Sequence, residues 1–238
     1  MDDIALDDFT GDGRNELAIV ANVSDVRSLR VRETGSGRVL LDQPLPPEQY
    51  QYDLLAFRGK LILTLSGTAI VFNGDPPSID MQKNGGVIVY SFDAAGTATQ
   101  QVALANDAFT STVAGDFNGD GRMDVLSSAS LAYGRANGTF APPEPVVDPR
   151  SYYRVAADLN GDGATDLVTR GLATFTWWRG AAAGLLRASG EWLAPGEATP
   201  VVARLRLEQP ASILFGRPEL VEVTTQCVGQ GKRRAARR

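Results

Sequence analysis

The chain has 238 residues, 43% hydrophobic and 21% charged, with a formal net charge of −5, the balance of an ordinary globular protein. It has no histidine and a single cysteine, Cys227, which excludes Ser-His-Asp triads, histidine acid–base chemistry, ordinary zinc sites and internal disulfides. No apolar run reaches the ~18 residues of a membrane-spanning helix, and no basic start leads into the apolar core of a secretory signal.

Twenty-five glycines and thirteen prolines imply many turns and short strands, an all-β class. The first unit, about residues 1–49, opens on the short strand Asp3-Ile-Ala-Leu-Asp7. It runs into Asp8-Phe-Thr-Gly-Asp-Gly-Arg-Asn-Glu16. That stretch has oxygen-bearing side chains at positions 1, 3, 5 and 9, glycine at 4 and 6, and an apolar residue at 2. Leu17–Val20 then reads as a buried strand. Leu29–Glu33 alternates apolar and charged residues, and Thr34–Gly37 turns it into Val39–Leu41, a hairpin.

The second unit, about 50–107, keeps the strands and loses the oxygen-rich loop. Asp53–Phe57 and Leu61–Leu65 are joined by a short turn, and Val87–Phe92 and Gln101–Leu104 form an outer hairpin around Asp93–Gly96. Between the pairs, Asn73–Gly86 is rich in turn formers and reads as a surface loop. No metal is expected in this unit. The third unit, about 108–148, passes from Thr110–Ala114 through Asp116-Phe-Asn-Gly-Asp-Gly-Arg-Met-Asp124 into Val125–Ser128. Leu131–Gly134 and Gly138–Ala141 form its close hairpin. The fourth, about 149–195, repeats the pattern with Tyr153–Ala157, Asp158-Leu-Asn-Gly-Asp-Gly-Ala-Thr-Asp166, Leu167–Arg170 and Ala173–Trp178.

Residues 196–227 carry Val201–Leu207, Ile213–Phe215 and Leu220–Val223, most of a fifth sheet without a loop. Lys232, Arg233, Arg234, Arg237 and Arg238 end the chain as a basic tail, 228–238. A solvated terminus is expected there, not a nucleic-acid contact. The loops beginning at Asp116 and Asp158 are spaced in the ~40–50-residue range of propeller blades. The one at Asp8 lies roughly two such units earlier. Residues 1–227 are therefore expected to form a single β-propeller domain of about four to five four-stranded blades, an incomplete or open ring.

The loops carry the chemistry. In a tightly curled loop the side chains at 1, 3 and 5 point inward, glycines take the positive-φ turns, and a carbonyl at 7 with a carboxylate at 9 closes an oxygen cage. An all-oxygen cage suits a hard cation, calcium before magnesium. Clustered carboxylates repel one another, and a divalent ion removes that cost. An EF-hand would need an acid at position 12, where this chain has Ile19, Ser127 and Thr169. A metal-free Asp/Asn/Gly turn is the plain alternative, weakened by three aligned copies.

Gly115–Val125 and the following Tyr133-Gly-Arg-Ala-Asn-Gly-Thr-Phe140 resemble the FG-GAP/VCBS repeat of integrin-α-type β-propellers. The resemblance is close over 108–180 and good over 1–45. It implies a seven-bladed ring as the usual closed form, about three calcium ions, and an extracellular or cell-surface place. Carried over by position, the metal ligands are Asp8, Thr10, Asp12, Arg14 (carbonyl) and Glu16. The second set is Asp116, Asn118, Asp120, Arg122 (carbonyl) and Asp124. The third is Asp158, Asn160, Asp162, Ala164 (carbonyl) and Asp166. The first loop departs with Thr10 for Asn and Glu16 for Asp. Its longer arm makes it the poorest match.

The function expected is an interaction module for a protein or glycan. A lectin, drawing on Tyr152, Tyr153, Trp177, Trp178 and Trp192, is the narrower alternative. A non-catalytic part of a polysaccharide-degrading enzyme is another. Catalysis itself is not expected, because Asp80, Glu191 and Glu197 are not paired with any partner acid or base.

Overall fold

The structure is a computed structural model and describes residues 3–23, 26–45, 50–73, 78–83, 85–105, 112–127, 130–146, 153–170, 174–182, 187–193, 200–203, 212–215 and 221–223. The chain divides into two compact units, Met1–Thr112 with Leu126–Glu144 and Val113–Val125 with Pro145–Arg238. Every regular element among the described residues is a β-strand, and no helix is long and apolar enough to cross a membrane.

The first sheet takes β1 (Ile4–Asp7), β2 (Glu16–Val23), β3 (Val26–Glu33) and β4 (Val39–Pro44) in chain order. Each is antiparallel to the last, with Asp7 opposite Glu16 and Val23 opposite Val26. Alternation sends Ala5, Ala18, Val20, Leu29 and Val31 to one face, where they are buried, while Ile4 and Leu6 stay 62% and 53% exposed on the other. The second sheet takes β5 (Tyr50–Phe57), β6 (Lys60–Asn73), β8 (Gly86–Phe92) and β9 (Ala98–Ala105), with β7 (Ser78–Lys83) paired to β6 alone. Its Tyr52, Leu61, Leu63, Leu65, Tyr90 and Phe92 meet the buried face of the first sheet in one core. Full burial of such side chains stabilises by about 1.5–3 kcal/mol each.

Two more four-stranded sheets follow the same order: β10 (Val113–Gly115), β11 (Asp124–Ser127), β12 (Ser130–Ala132) and β13 (Glu144–Pro145), then β14 (Tyr153–Ala157), β15 (Asp166–Arg170), β16 (Thr174–Arg179) and β17 (Arg187–Leu193). A three-stranded sheet comprises β18 (Pro200–Ala203), β19 (Ser212–Phe215) and β20 (Val221–Val223).

Two expectations change. Ser78–Lys83, inside the expected loop Asn73–Gly86, is a strand: β6 runs on to Asn73 and pairs with β7 from Thr68↔Lys83 to Asn73↔Ser78. The two paired strands are rich in β-branched and alternating residues. Gly138–Ala141 folds back on Tyr133–Arg135 as expected, through the bridge Gly134↔Phe140 and the Arg135 and Ala141 amides, which donate to the Thr139 and Tyr133 carbonyls; the sheet's edge strand comes later, at β13. The fourth sheet also gains β17, whose polar residues between Arg187 and Leu193 concealed an edge strand. Tyr152, Glu197, Cys227 and the basic tail lie outside the described residues. Asp80, Tyr153, Glu191 and Trp192 are placed on β7, β14, β17 and β17.

Candidate metal centre

Each nine-residue loop joins the first two strands of its sheet. The apolar position 2 pins it: Phe9, Phe117 and Leu159 are 3%, 0% and 1% exposed. Phe9 lies in the core of the first two sheets, its ring 6.0 Å from that of Phe92. Glycines at positions 4 and 6 take φ between +72° and +90° in all three loops, a region that L side chains avoid.

Around that frame the carboxylates bind the loop's own amides. At position 1, Asp8 accepts from Gly11 (2.8 Å), Asp12 (3.1 Å) and Gly13 (2.8 Å). Asp116 accepts from Asp120 and Gly121, and Asp158 from Gly161 and Gly163. At position 9, Glu16, Asp124 and Asp166 are all buried. Each accepts the amide of position 2, from Phe9 at 2.8 Å, Phe117 at 2.9 Å and Leu159 at 3.1 Å. Position 5 accepts the amide of position 7, so Arg14, Arg122 and Ala164 are tied to Asp12, Asp120 and Asp162.

The loops then diverge. In the first, carboxylate oxygens of Asp8, Asp12 and Glu16 come within 4.8 Å of one another, the one such acidic group among the described residues. Glu16 spends Oε2 on the amides of Phe9 and Thr10. Its Oε1 is buried without a partner, and so is Thr10 Oγ1. Buried oxygens left unpaired are uncommon and costly. The donor set is all oxygen and therefore fits a hard cation.

In the second and third loops the position-5 carboxylate already has a cation. Arg122 Nη1 lies 2.8 Å from Asp120 Oδ2, and Arg179 Nη2 lies 2.8 Å from Asp162 Oδ2. Asn118 and Asn160 each donate Nδ2 to the same oxygen of their aspartate at 3.0 Å. Burial pulls Asp120 upward, but the Arg122 amide, the Asn118 amide and the Arg122 guanidinium outweigh it, and the carboxyl sits below its ordinary pKa. Asp162 behaves likewise, with Arg179 the largest opposing influence. Asp166 goes the other way. Burial pushes it up to about 6, against donation from the Gly180 and Leu159 amides, and the charge of Asp162 adds to the rise.

Contacts that reach beyond a single loop hold the loops in place. Gly59, in the tight turn that replaces a loop in the second sheet, donates its amide to Asp7 Oδ2. Thr165 bolts the second loop to the third: its amide donates to the Asp116 carbonyl at 2.7 Å and its Oγ1 accepts from the Asp116 amide at 2.9 Å. Ala181 donates to the Phe117 carbonyl at 3.1 Å, and Gly180 to Asp166 Oδ1 at 3.0 Å. Thr165 and Gly180 cannot be found by loop spacing, and neither can Arg179. The sole sequence signal is a glycine after Arg179, where a Cβ would strike the Thr165 and Phe117 carbonyls.

Residues 108–141, spanning the second loop and its hairpin, match the family model of the FG-GAP repeat. The chain therefore carries an FG-GAP repeat. No curated protein sequence matches it significantly. Among solved structures, the crystal structure of the V. cholerae biofilm matrix protein Bap1 aligns over 89% of this chain at 15% identity and a TM-score of 0.30. The aligned part is 52% of that chain, about half its length.

Proposed function

We propose that this chain, which carries an FG-GAP repeat, is a calcium-stabilised β-propeller serving as a non-catalytic interaction module for a protein or glycan, secreted or at the cell surface. One observation carries the calcium reading. Asp8, Asp12 and Glu16 converge beside two buried oxygens, Glu16 Oε1 and Thr10 Oγ1, that have no partner in the protein. The propeller reading is supported by three sheets of four strands in chain order, each with a loop between its first two strands. It is supported further by the aliphatic pair Ile4 and Leu6, exposed on the first sheet where another blade would cover them.

Calcium would supply the positive charge that lets clustered carboxylates stay ionised at close range. The protein's part is to hold its oxygens ready: Phe9, Phe117 and Leu159 anchor the loops, and backbone amides orient the position-1 and position-9 carboxylates. The first set would be Asp8, Thr10, Asp12, Glu16 and the Arg14 carbonyl, with the corresponding residues in the other two loops. At tenfold excess over the dissociation constant each ion would stabilise the fold by about 1.4 kcal/mol.

Calorimetric calcium titration of the metal-stripped chain tests this. About three sites are expected, with one lost in Asp120→Ala and one in Asp162→Ala, and a chelator should lower Tm. An unchanged Tm with no heat of binding would refute the calcium reading. A glycan array then separates a sugar ligand from a protein ligand.

A further inference from the structure

The third loop has a cation of its own, supplied from outside the nine residues. Arg179 ends β16, directly after Trp177 and Trp178, where the register with β17 shifts. Its Nε and Nη2 both donate to Asp162 Oδ2, at 3.3 and 2.8 Å. That oxygen also takes the Asn160 amide, and Oδ1 takes the Ala164 amide. Every oxygen of the position-5 carboxylate is thus engaged. Asp12, in the same position of the first loop, accepts a single amide, that of Arg14. No lysine or arginine pairs with Asp12 among the described residues.

We propose that Arg179 is a built-in counter-cation of the third loop, which a divalent ion must displace from Asp162, so that the first loop fills before the third. The inference rests on the calcium reading above. The guanidinium occupies the carboxylate that an incoming ion needs and adds a like charge beside it. Both side chains reach solvent, at 54% for Arg179 and 33% for Asp162, and exposed pairs are weak. Displacement therefore delays the ion without excluding it, by about three- to fivefold in affinity. Arg122 is a milder case in the second loop, since it belongs to the loop itself and its side chain can swing away while its backbone stays in place. The consequence is graded loading: as calcium rises, the loop in the first unit is completed before the loop built from Asp158–Asp166.

Terbium, a luminescent stand-in for calcium, tests this on the full chain. Trp177 and Trp178 adjoin the third loop: they stand opposite Val168 and Leu167 on the strand that leaves it, and Trp178 donates to Thr169 at 3.0 Å. Indole-sensitised emission therefore reports that loop. Arg179→Gln should lower the terbium midpoint about three- to fivefold. Arg30→Gln, which removes the same charge from the Arg30–Asp42 pair, should leave it unmoved. Arg179→Lys, with a charge but no fork, should fall between wild type and Gln, a readout that survives if Gln loosens the strand. In calcium calorimetry, Asp12→Asn should remove the tighter phase and Asp162→Asn the weaker. A midpoint unmoved by Arg179→Gln, or moved equally by Arg30→Gln, overturns the proposal while leaving calcium binding intact, and so does the reverse assignment of phases. Absence of binding in the wild type refutes the calcium reading and this inference together.

Discussion

The first and third loops share a nine-residue register, positive-φ glycines, a buried apolar anchor and a buried position-9 carboxylate, yet they hold their charge in different ways. Asp166 has a short arm, and both its oxygens are spent, one on Leu159 and the other on Gly180. Glu16 has a longer arm, satisfies two amides with a single oxygen, and keeps the other unpartnered. Asp162 is met by Arg179, whereas the carboxylate of Asp12 faces those of Asp8 and Glu16. The loop that matches the repeat least well is thus the one whose acids converge most closely. Ligand capacity depends on what the rest of the fold has already donated to each oxygen.

That comparison can be broken most forcefully at what the loops have in common. Phe9→Ala and Phe117→Ala should each cost about 3–5 kcal/mol in denaturant unfolding, because either ring is almost fully buried. A large difference between them would show that the two loops are anchored differently. A smaller effect probes the bolts. Gly180→Ala puts a Cβ against the Thr165 and Phe117 carbonyls and should cost about 1–3 kcal/mol. Gly35→Ala, where nothing lies within 4 Å, should be nearly neutral.

The smallest effect is in pH and belongs to the third loop. With Asp166 pushed up to about 6 against ~3.9 in the unfolded chain, the folded metal-free protein binds the extra proton between roughly pH 4 and 6. Stability contributed by this group is therefore present below that window and is lost as pH rises through 6. In chelator, urea unfolding should show the protein about 1 kcal/mol more stable at pH 5 than at pH 7.5, and Asp166→Asn should flatten the difference.

Much of this was legible locally. Alternation over Leu29–Glu33 and the Thr34–Gly37 turn specified a hairpin, and β3 and β4 form it. The glycine spacing implied positive φ, which each loop adopts. Where local reading failed, the signal was present but misweighted: Ile79 and Met81 alternate with polar neighbours along β7.

From its letters alone, this chain was bound to be an all-β protein with three curled acidic loops, since turn geometry and strand periodicity are decided by residues within a few positions of one another. Which acids would meet, which would be claimed by Arg179, and which loops Thr165 and Gly180 would clamp depended on groups up to 49 residues apart. Those contacts exist only once separate strands lie side by side, because hydrogen bonds and ion pairs act over a few ångströms of space, whatever the distance along the chain.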